Sequence, residues 1–98
     1  MKVEFLKAAQ IELDQAFEWY ETQQDNLGRQ FITEFEAAIR RIVRYPLAYA
    51  AIDGQIRRCL IKRFPYAILY GVDADLIVVV AVAHLHRKPV YWQGRITD

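Results

Sequence analysis

The feature that most constrains the fold of this chain is an uninterrupted apolar run near its end, residues 76–83 (LIVVVAVA). A strand with one solvated face would alternate apolar and polar residues, because successive side chains point to opposite faces. A run that is apolar on both faces is typical of a strand in the centre of a sheet. It is far shorter than the roughly 20 residues that span a bilayer. The run therefore predicts a buried central strand.

Two further strands are predicted just before this run. Residues 56–64 alternate loosely between apolar and basic side chains, and Pro65 ends that pattern. Residues 66–72 (YAILYGV) have the composition of a second strand. Residues 73–75 (DAD) separate it from the apolar run as a short hairpin turn.

A first helix is predicted after a short opening strand over residues 3–6. Its apolar residues recur at steps of four and three and line one face: Ala9, Leu13, Ala16, Phe17 and Tyr20. The acidic residues, Glu12 among them, lie largely off that face.

A second helix is predicted from a stripe formed by Phe31, Phe35, Ala38 and Ile42. Asp25 and Asn26 are expected to cap its start, and Tyr45-Pro46 should stop it, because a residue before proline avoids the helical region. The short connection makes the helices an antiparallel hairpin. Residues 48–54 are expected to form a loop with a turn at its end. The predicted order is β-α-α-β-β-β, an α+β fold with one domain over residues 1–98.

The net charge of +1 is unevenly distributed along the chain. Residues 1–53 carry six Lys/Arg and nine Asp/Glu, whereas residues 54–98 carry seven Lys/Arg and three Asp. This split predicts that the second half faces an anion. Cys59 is the only cysteine, which excludes an intramolecular disulfide and a cysteine-based metal cluster. Neither a signal peptide nor a membrane span is visible, so a cytoplasmic protein is expected.

Residues 84–92 (HLHRKPVYW), which follow the apolar run, contain the side chains best suited to catalysis and to phosphate or base binding. Histidine and tyrosine can transfer protons, arginine and lysine can hold phosphates, and aromatic rings can stack on bases. His84 and His86 should point the same way if the strand continues. They have no third ligand nearby in sequence, so neither a metal nor any other cofactor is expected.

The ordered set of a basic strand, a Y-x-I-x-Y strand, a turn, an apolar strand and an H-x-x-R end resembles the RelE/ParE superfamily of toxins from type II toxin–antitoxin systems. Tyr66, Ile68 and Tyr70 form the first motif, and His84 and Arg87 form the second. The resemblance implies a helical hairpin packed on a small, mostly antiparallel sheet. It also implies a cognate antitoxin partner and allows a toxin–antitoxin hetero-oligomer.

The superfamily has two activities, and the resemblance leaves both open. RelE-like members cut mRNA on the ribosome, whereas ParE-like members inhibit DNA gyrase without catalytic residues. A toxin relic that only binds antitoxin is a third alternative. Ala67 occupies a position where the nucleases often carry an arginine, which favours the gyrase alternative.

As a nuclease, the chain would use His84, Arg87 and Tyr91 as catalytic residues. RNA or partner binding is assigned to Arg57, Arg58, Lys62, Arg63, His86, Lys88 and Trp92. Structural roles compete with these assignments: strand-end histidines are commonly packed, and Tyr91-Trp92 would then close the edge of the core. Arg95 is expected to be a solvated tail residue. The antitoxin contact is expected along the helical hairpin and residues 56–64.

Overall fold

The computed structural model describes residues 1–88 and 90–96, so Pro89, Thr97 and Asp98 lie outside the described residues. Its elements follow the chain as β1 (Lys2–Phe5), α1 (Lys7–Gln23), α2 (Leu27–Arg44), β2 (Ala51–Asp53), β3 (Ile56–Leu60), β4 (Tyr66–Asp73), β5 (Leu76–His84) and a 3₁₀ turn (Gln93–Arg95). The strands form one sheet in the order β1-β5-β4-β3-β2. Among the described strands, β1 and β5 pair in parallel and the other pairs are antiparallel. The α+β fold with a helical hairpin on a mostly antiparallel sheet is confirmed.

The apolar run forms β5, which lies between β1 and β4 as predicted. Its side chains are buried on both faces of the sheet, but two different elements cover them. The helices cover one face and form the main core with residues such as Phe31, Ile42, Ile68 and Val79. The residues that follow β5 (85–88 and 90–96), called the C-terminal segment or tail below, cover the other face, where Trp92 packs with a smaller cluster. The tail is therefore part of the fold.

One strand more than predicted is present, because residues 48–54 are not entirely a loop. Ala51 pairs with Arg57, and Asp53 pairs with Ile56, so β2 and β3 form a tight hairpin. Gly54 lies in the turn between them with φ +56°, a conformation that glycine adopts without strain. The predicted turn is thus a hairpin turn, and the strand that it adds was too short to leave a sequence pattern.

The predicted cap of the second helix is wrong. Asn26 adopts a left-handed conformation with φ 72°, and its side chain makes no cap hydrogen bond. The carboxylate of Glu21, at the end of α1, accepts hydrogen bonds from the backbone N–H groups of Asn26 at 3.1 Å and Gly28 at 2.9 Å. The end of one helix thereby caps the start of the next. The other end is as predicted, because α2 ends at Arg44 immediately before Tyr45.

The two helices pack closely at Gly28. A Cβ atom at this position would lie 2.6 Å from the carbonyl oxygen of Phe17 in α1, which is far inside contact distance. Only glycine allows the two backbones to pack this tightly.

Among the described residues, none of the helices has the length and apolarity needed to cross a membrane.

Candidate functional site

The C-terminal segment folds back across the sheet face that the helices leave open. Trp92 is 2% exposed and packs against Ala67, Leu69 and Ala83. Its ring therefore has no exposed face on which a base could stack. This burial agrees with the alternative that Trp92 closes the edge of the core.

Glu12 of α1 fastens this segment to the body of the protein. Its Oε2 accepts a hydrogen bond from the Tyr91 hydroxyl at 2.7 Å. Arg95 makes a bidentate ion pair with the same carboxylate, at 2.8 Å to Oε1 and 2.9 Å to Oε2. The Val82 backbone N–H donates to Oε1 at 3.0 Å. One carboxylate therefore joins a helix, a strand and the tail.

The arrangement follows from the unequal lengths of β1 and β5. The register of β5 against β4 shifts between Leu69, which pairs with Ala81, and Tyr70, which pairs with Val79, so Val80 is an extra residue in β5. Beyond this bulge β1 has ended, and β5 would present unpaired backbone groups. Arg95 donates to the Val80 carbonyl at 3.1 Å, and Glu12 accepts from the Val82 N–H. The ion pair therefore satisfies a strand edge that no neighbouring strand covers.

The electrostatics hold Tyr91 as a proton donor to a carboxylate. Burial opposes ionisation of Glu12, but the hydrogen bonds from Arg95, Tyr91 and Val82 outweigh it and lower the pKa of the carboxyl below its ordinary value. Burial and then the hydrogen bond to Glu12 raise the pKa of Tyr91 well above that of a free phenol. The hydrogen bond to Glu12 raises the pKa of Arg95. At neutral pH Tyr91 is therefore neutral and its proton is engaged.

His84 and His86 lie together where β5 ends. Their ring centroids are 4.9 Å apart, and the His86 backbone N–H donates to Nδ1 of His84 at 3.0 Å. Because Nδ1 accepts, the neutral His84 ring carries its proton on Nε2. The edge of the Tyr66 ring packs against His84 with centroids 5.1 Å apart. His84 is thus half-buried and oriented by two contacts, whereas His86 is exposed.

Arg87 is oriented by an aromatic face. Its guanidinium lies 4.0 Å from the centroid of the Tyr91 ring, and that of Arg95 lies 5.1 Å from the same centroid. Arg87 and His84 line both a small cavity of about 120 Å³ beside Glu12 and a larger one of about 220 Å³ on the tail side of the sheet. The three proposed catalytic residues therefore lie close to one another, but Tyr91 is committed to Glu12.

The four basic residues after the β2–β3 turn do not form one cluster. Arg57 donates to the Tyr49 carbonyl at 2.7 Å and holds the loop after α2. Arg63 donates to Gln30 of α2 at 2.8 Å. Arg58 lines the larger cavity, and Lys62 is exposed at the turn after β3. Of these four residues, Arg58 is the one that lines the larger cavity together with Arg87 and Lys88.

Sequence reasoning missed Glu12 and assigned the wrong environment to Arg95. Glu12 was placed only off the apolar face of α1, and it lies at the border of that face, one position before Leu13. Arg95 was expected to be solvated, but it forms the ion pair described above. Within the described part of the chain, no three His, Cys, Asp or Glu side chains converge as a metal site requires.

Comparisons with known proteins place this geometry in context. The family model of the ParE toxin of the type II toxin–antitoxin system matches residues 3–89. A solved structure of the chromosomal ParDE system from P. aeruginosa is similar, with a TM-score of 0.74 at 14% identity, covering 86% of this chain and 95% of that one. A copper-bound mutant toxin from Helicobacter pylori is similar with a TM-score of 0.53 at 20% identity, covering 86% and 93%. No curated protein sequence matches significantly.

Proposed function

This chain belongs to the ParE toxin family of type II toxin–antitoxin systems, and we propose that it inhibits growth by binding DNA gyrase rather than by cutting RNA, with a cognate antitoxin that neutralises it. The observation that carries the choice is the state of Tyr91. A general acid must be free to give its proton to a leaving group, whereas Tyr91 donates to Glu12 at 2.7 Å and the Arg87 guanidinium covers its ring.

The placement of Arg57, Arg63 and Ala67 also favours a binding protein. A metal-free ribonuclease needs several cations converging on the scissile phosphate. Arg57 and Arg63 are turned to the loop and to α2, and position 67 is alanine, 1% exposed. The chain thus offers a mixed apolar and cationic surface, which is typical of a protein contact.

The nuclease remains a second candidate because of one specific arrangement. His84, Arg58, Arg87 and Lys88 surround the cavity of about 220 Å³, where an imidazole and three cations could meet a phosphate. His84 Nε2 is the atom that would move a proton.

The two candidates differ in what the induced chain does in a bacterial host. Gyrase inhibition predicts filamentous cells, a DNA-damage response and cleavage complexes trapped on DNA, with messenger RNA intact. The purified chain should inhibit supercoiling by purified gyrase, and His84→Ala should retain that inhibition. Messages cut within codons, together with loss of toxicity in His84→Ala, would instead establish the nuclease. Normal growth at high levels of folded protein would contradict both candidates and leave a relic that only binds antitoxin.

A further inference from the structure

The larger cavity exists because two small residues face each other across neighbouring strands. Ala67 of β4 and Ala83 of β5 are direct partners in the sheet, and both line the cavity floor with Leu69. Side chains of ordinary strand size at these positions would fill the space between the sheet and the tail. With alanine, a space of about 220 Å³ stays open beside Trp92. The floor is therefore made of methyl groups and aliphatic carbon.

The rim of this cavity is cationic. Arg58, Arg87 and Lys88 line it and are exposed, and the half-buried ring of His84 lies among them. No carboxylate occurs among the described residues that line it. An occupant must therefore bring negative charge to the rim.

Exposed apolar side chains extend the floor outward. Ile52, Leu85 and Val90 line the cavity and are 40%, 47% and 42% exposed. Side chains of this kind next to a concave apolar floor mark a surface that another protein covers. A pocket that buries one anchor side chain within a ring of weaker contacts has the anatomy of a binding hot spot.

We propose that this cavity is the docking site for an apolar side chain of the cognate antitoxin, presented by a segment with acidic residues on both sides. The inference rests on the proposed function, because it needs an antitoxin, and it commits that partner to the sheet face behind the tail. The apolar side chain fills the space above Ala67 and Ala83. The flanking carboxylates meet Arg58 on one side and Lys88 on the other.

A nucleic acid fits the same surface less well. Reading a base requires hydrogen-bonding groups that face its edges, and the floor offers methyl groups. The one aromatic hydroxyl that lines the cavity, Tyr91, donates to Glu12. Stacking on Trp92 is blocked by its burial. The apolar floor therefore favours a protein side chain over a base.

The test uses the whole chain with the protein encoded beside its gene as the probe. The two are co-expressed and purified, and the dissociation constant is measured after separation and refolding of the toxin. Ala83→Leu fills the cavity without changing charge and should raise Kd roughly tenfold or more, the effect of losing a hot-spot contact. Ala48→Leu, an exposed change of equal size, is the matched control and should leave Kd unchanged.

A second variant keeps the test valid if Ala83→Leu does not fold. Arg58→Glu with Lys88→Glu changes two exposed side chains and should raise Kd about tenfold, with a weaker dependence on salt. Lys2→Glu with Lys7→Glu changes two exposed side chains near the N-terminus and the net charge by the same amount, so it is the matched control. If the cavity variants bind like their controls while the wild-type complex forms, the docking site is wrong and the toxin–antitoxin function stands.

Two further outcomes would overturn the inference in distinguishable ways. If the wild-type chain and the neighbouring product form no complex, the proposed antitoxin partnership fails, and the inference falls with it. If the purified chain binds a single-stranded 20-nucleotide RNA, and Ala83→Leu abolishes that binding while leaving the protein complex intact, the cavity is a nucleic-acid site. The NMR signal of the Trp92 indole N–H can be assigned with a Trp19→Phe variant. A change in its chemical shift when the antitoxin binds would support the docking site directly.

Discussion

Glu12→Ala is the substitution that most directly tests the proposed role of the tail. It removes the acceptor of four hydrogen bonds, from Val82, from Tyr91 and twice from Arg95. Removing one partner of a fully buried ion pair costs about 3–5 kcal/mol, whereas an exposed pair contributes about 0–1 kcal/mol. The Glu12 and Arg95 side chains are 12% and 22% exposed, so water can partly replace the carboxylate. We expect a loss of about 2–3 kcal/mol in the free energy of unfolding.

The assay is urea unfolding followed by tryptophan fluorescence. Trp92 lies in the tail and is buried against the sheet, whereas Trp19 is 59% exposed, so a Trp19→Phe background leaves a signal from the tail alone. For a chain of this length, the expected loss lowers Tm by roughly 10–20 °C. Trp92 emission in the folded variant should also shift to longer wavelength, because the segment that carries it loses its anchor.

Glu18→Ala is the matched control on the same helix. Glu18 is exposed and forms none of these bonds, so its replacement should change stability by less than about 0.5 kcal/mol. Equal stabilities of Glu12→Ala and Glu18→Ala would refute the anchoring role. A double-mutant cycle with Arg95→Ala separates the ion pair from the other contacts, and a coupling near zero would show that the pair itself contributes nothing.

Three further predictions concern pH and backbone packing. The difference in unfolding free energy between the wild type and Glu12→Gln should stay constant from neutral pH down to about 4.5 and then shrink. The pKa of Glu12 in the folded state is below its ordinary value of 4.5, so the stabilisation by the ionised carboxylate is lost as the folded and unfolded states both become protonated. A difference that grows in acid would contradict this expectation. Gly28→Ala should destabilise by about 2–3 kcal/mol in urea unfolding, because the new methyl would lie 2.6 Å from the Phe17 carbonyl oxygen, and an unchanged midpoint would show that the helices can separate freely. Arg57→Ala should lose about 1–2 kcal/mol and raise hydrogen exchange after α2, because its guanidinium holds the Tyr49 carbonyl; exchange that stays at the wild-type rate would remove it from that role.

The elements that could be predicted from the sequence are those whose signal is local. The apolar run that became β5 is buried whichever neighbours flank it, and the stripe of α2 repeats over 18 residues. Tyr45-Pro46 stops α2 through backbone sterics alone. The short strand β2 has no such signal, because it pairs with β3 at only Arg57 and Ile56.

The anchoring of the tail could not be predicted, because its contacts join residues far apart in sequence. Tyr91 and Arg95 lie 79 and 83 positions from Glu12. No periodicity of α1 distinguishes Glu12 from the solvated acids around it. The helix cap supplied by Glu21 was missed for a related reason. Asn26 has the side chain of a capping residue, but its backbone is left-handed and its side chain makes no cap hydrogen bond, while Glu21 of the other helix accepts from Gly28.

Ala67 links the proposed preference for gyrase binding to the proposed docking cavity. An arginine at position 67 would place a guanidinium at the floor, adding a phosphate-binding cation and occupying the space against Ala83. Alanine at position 67 instead leaves the floor uncharged and the cavity open. The cations that remain stand on the rim, where they suit the carboxylates of a protein segment better than a phosphate held at the floor. The tail that Glu12 fastens supplies the far wall, so the anchor tested by Glu12→Ala and the cavity tested by Ala83→Leu belong to one surface.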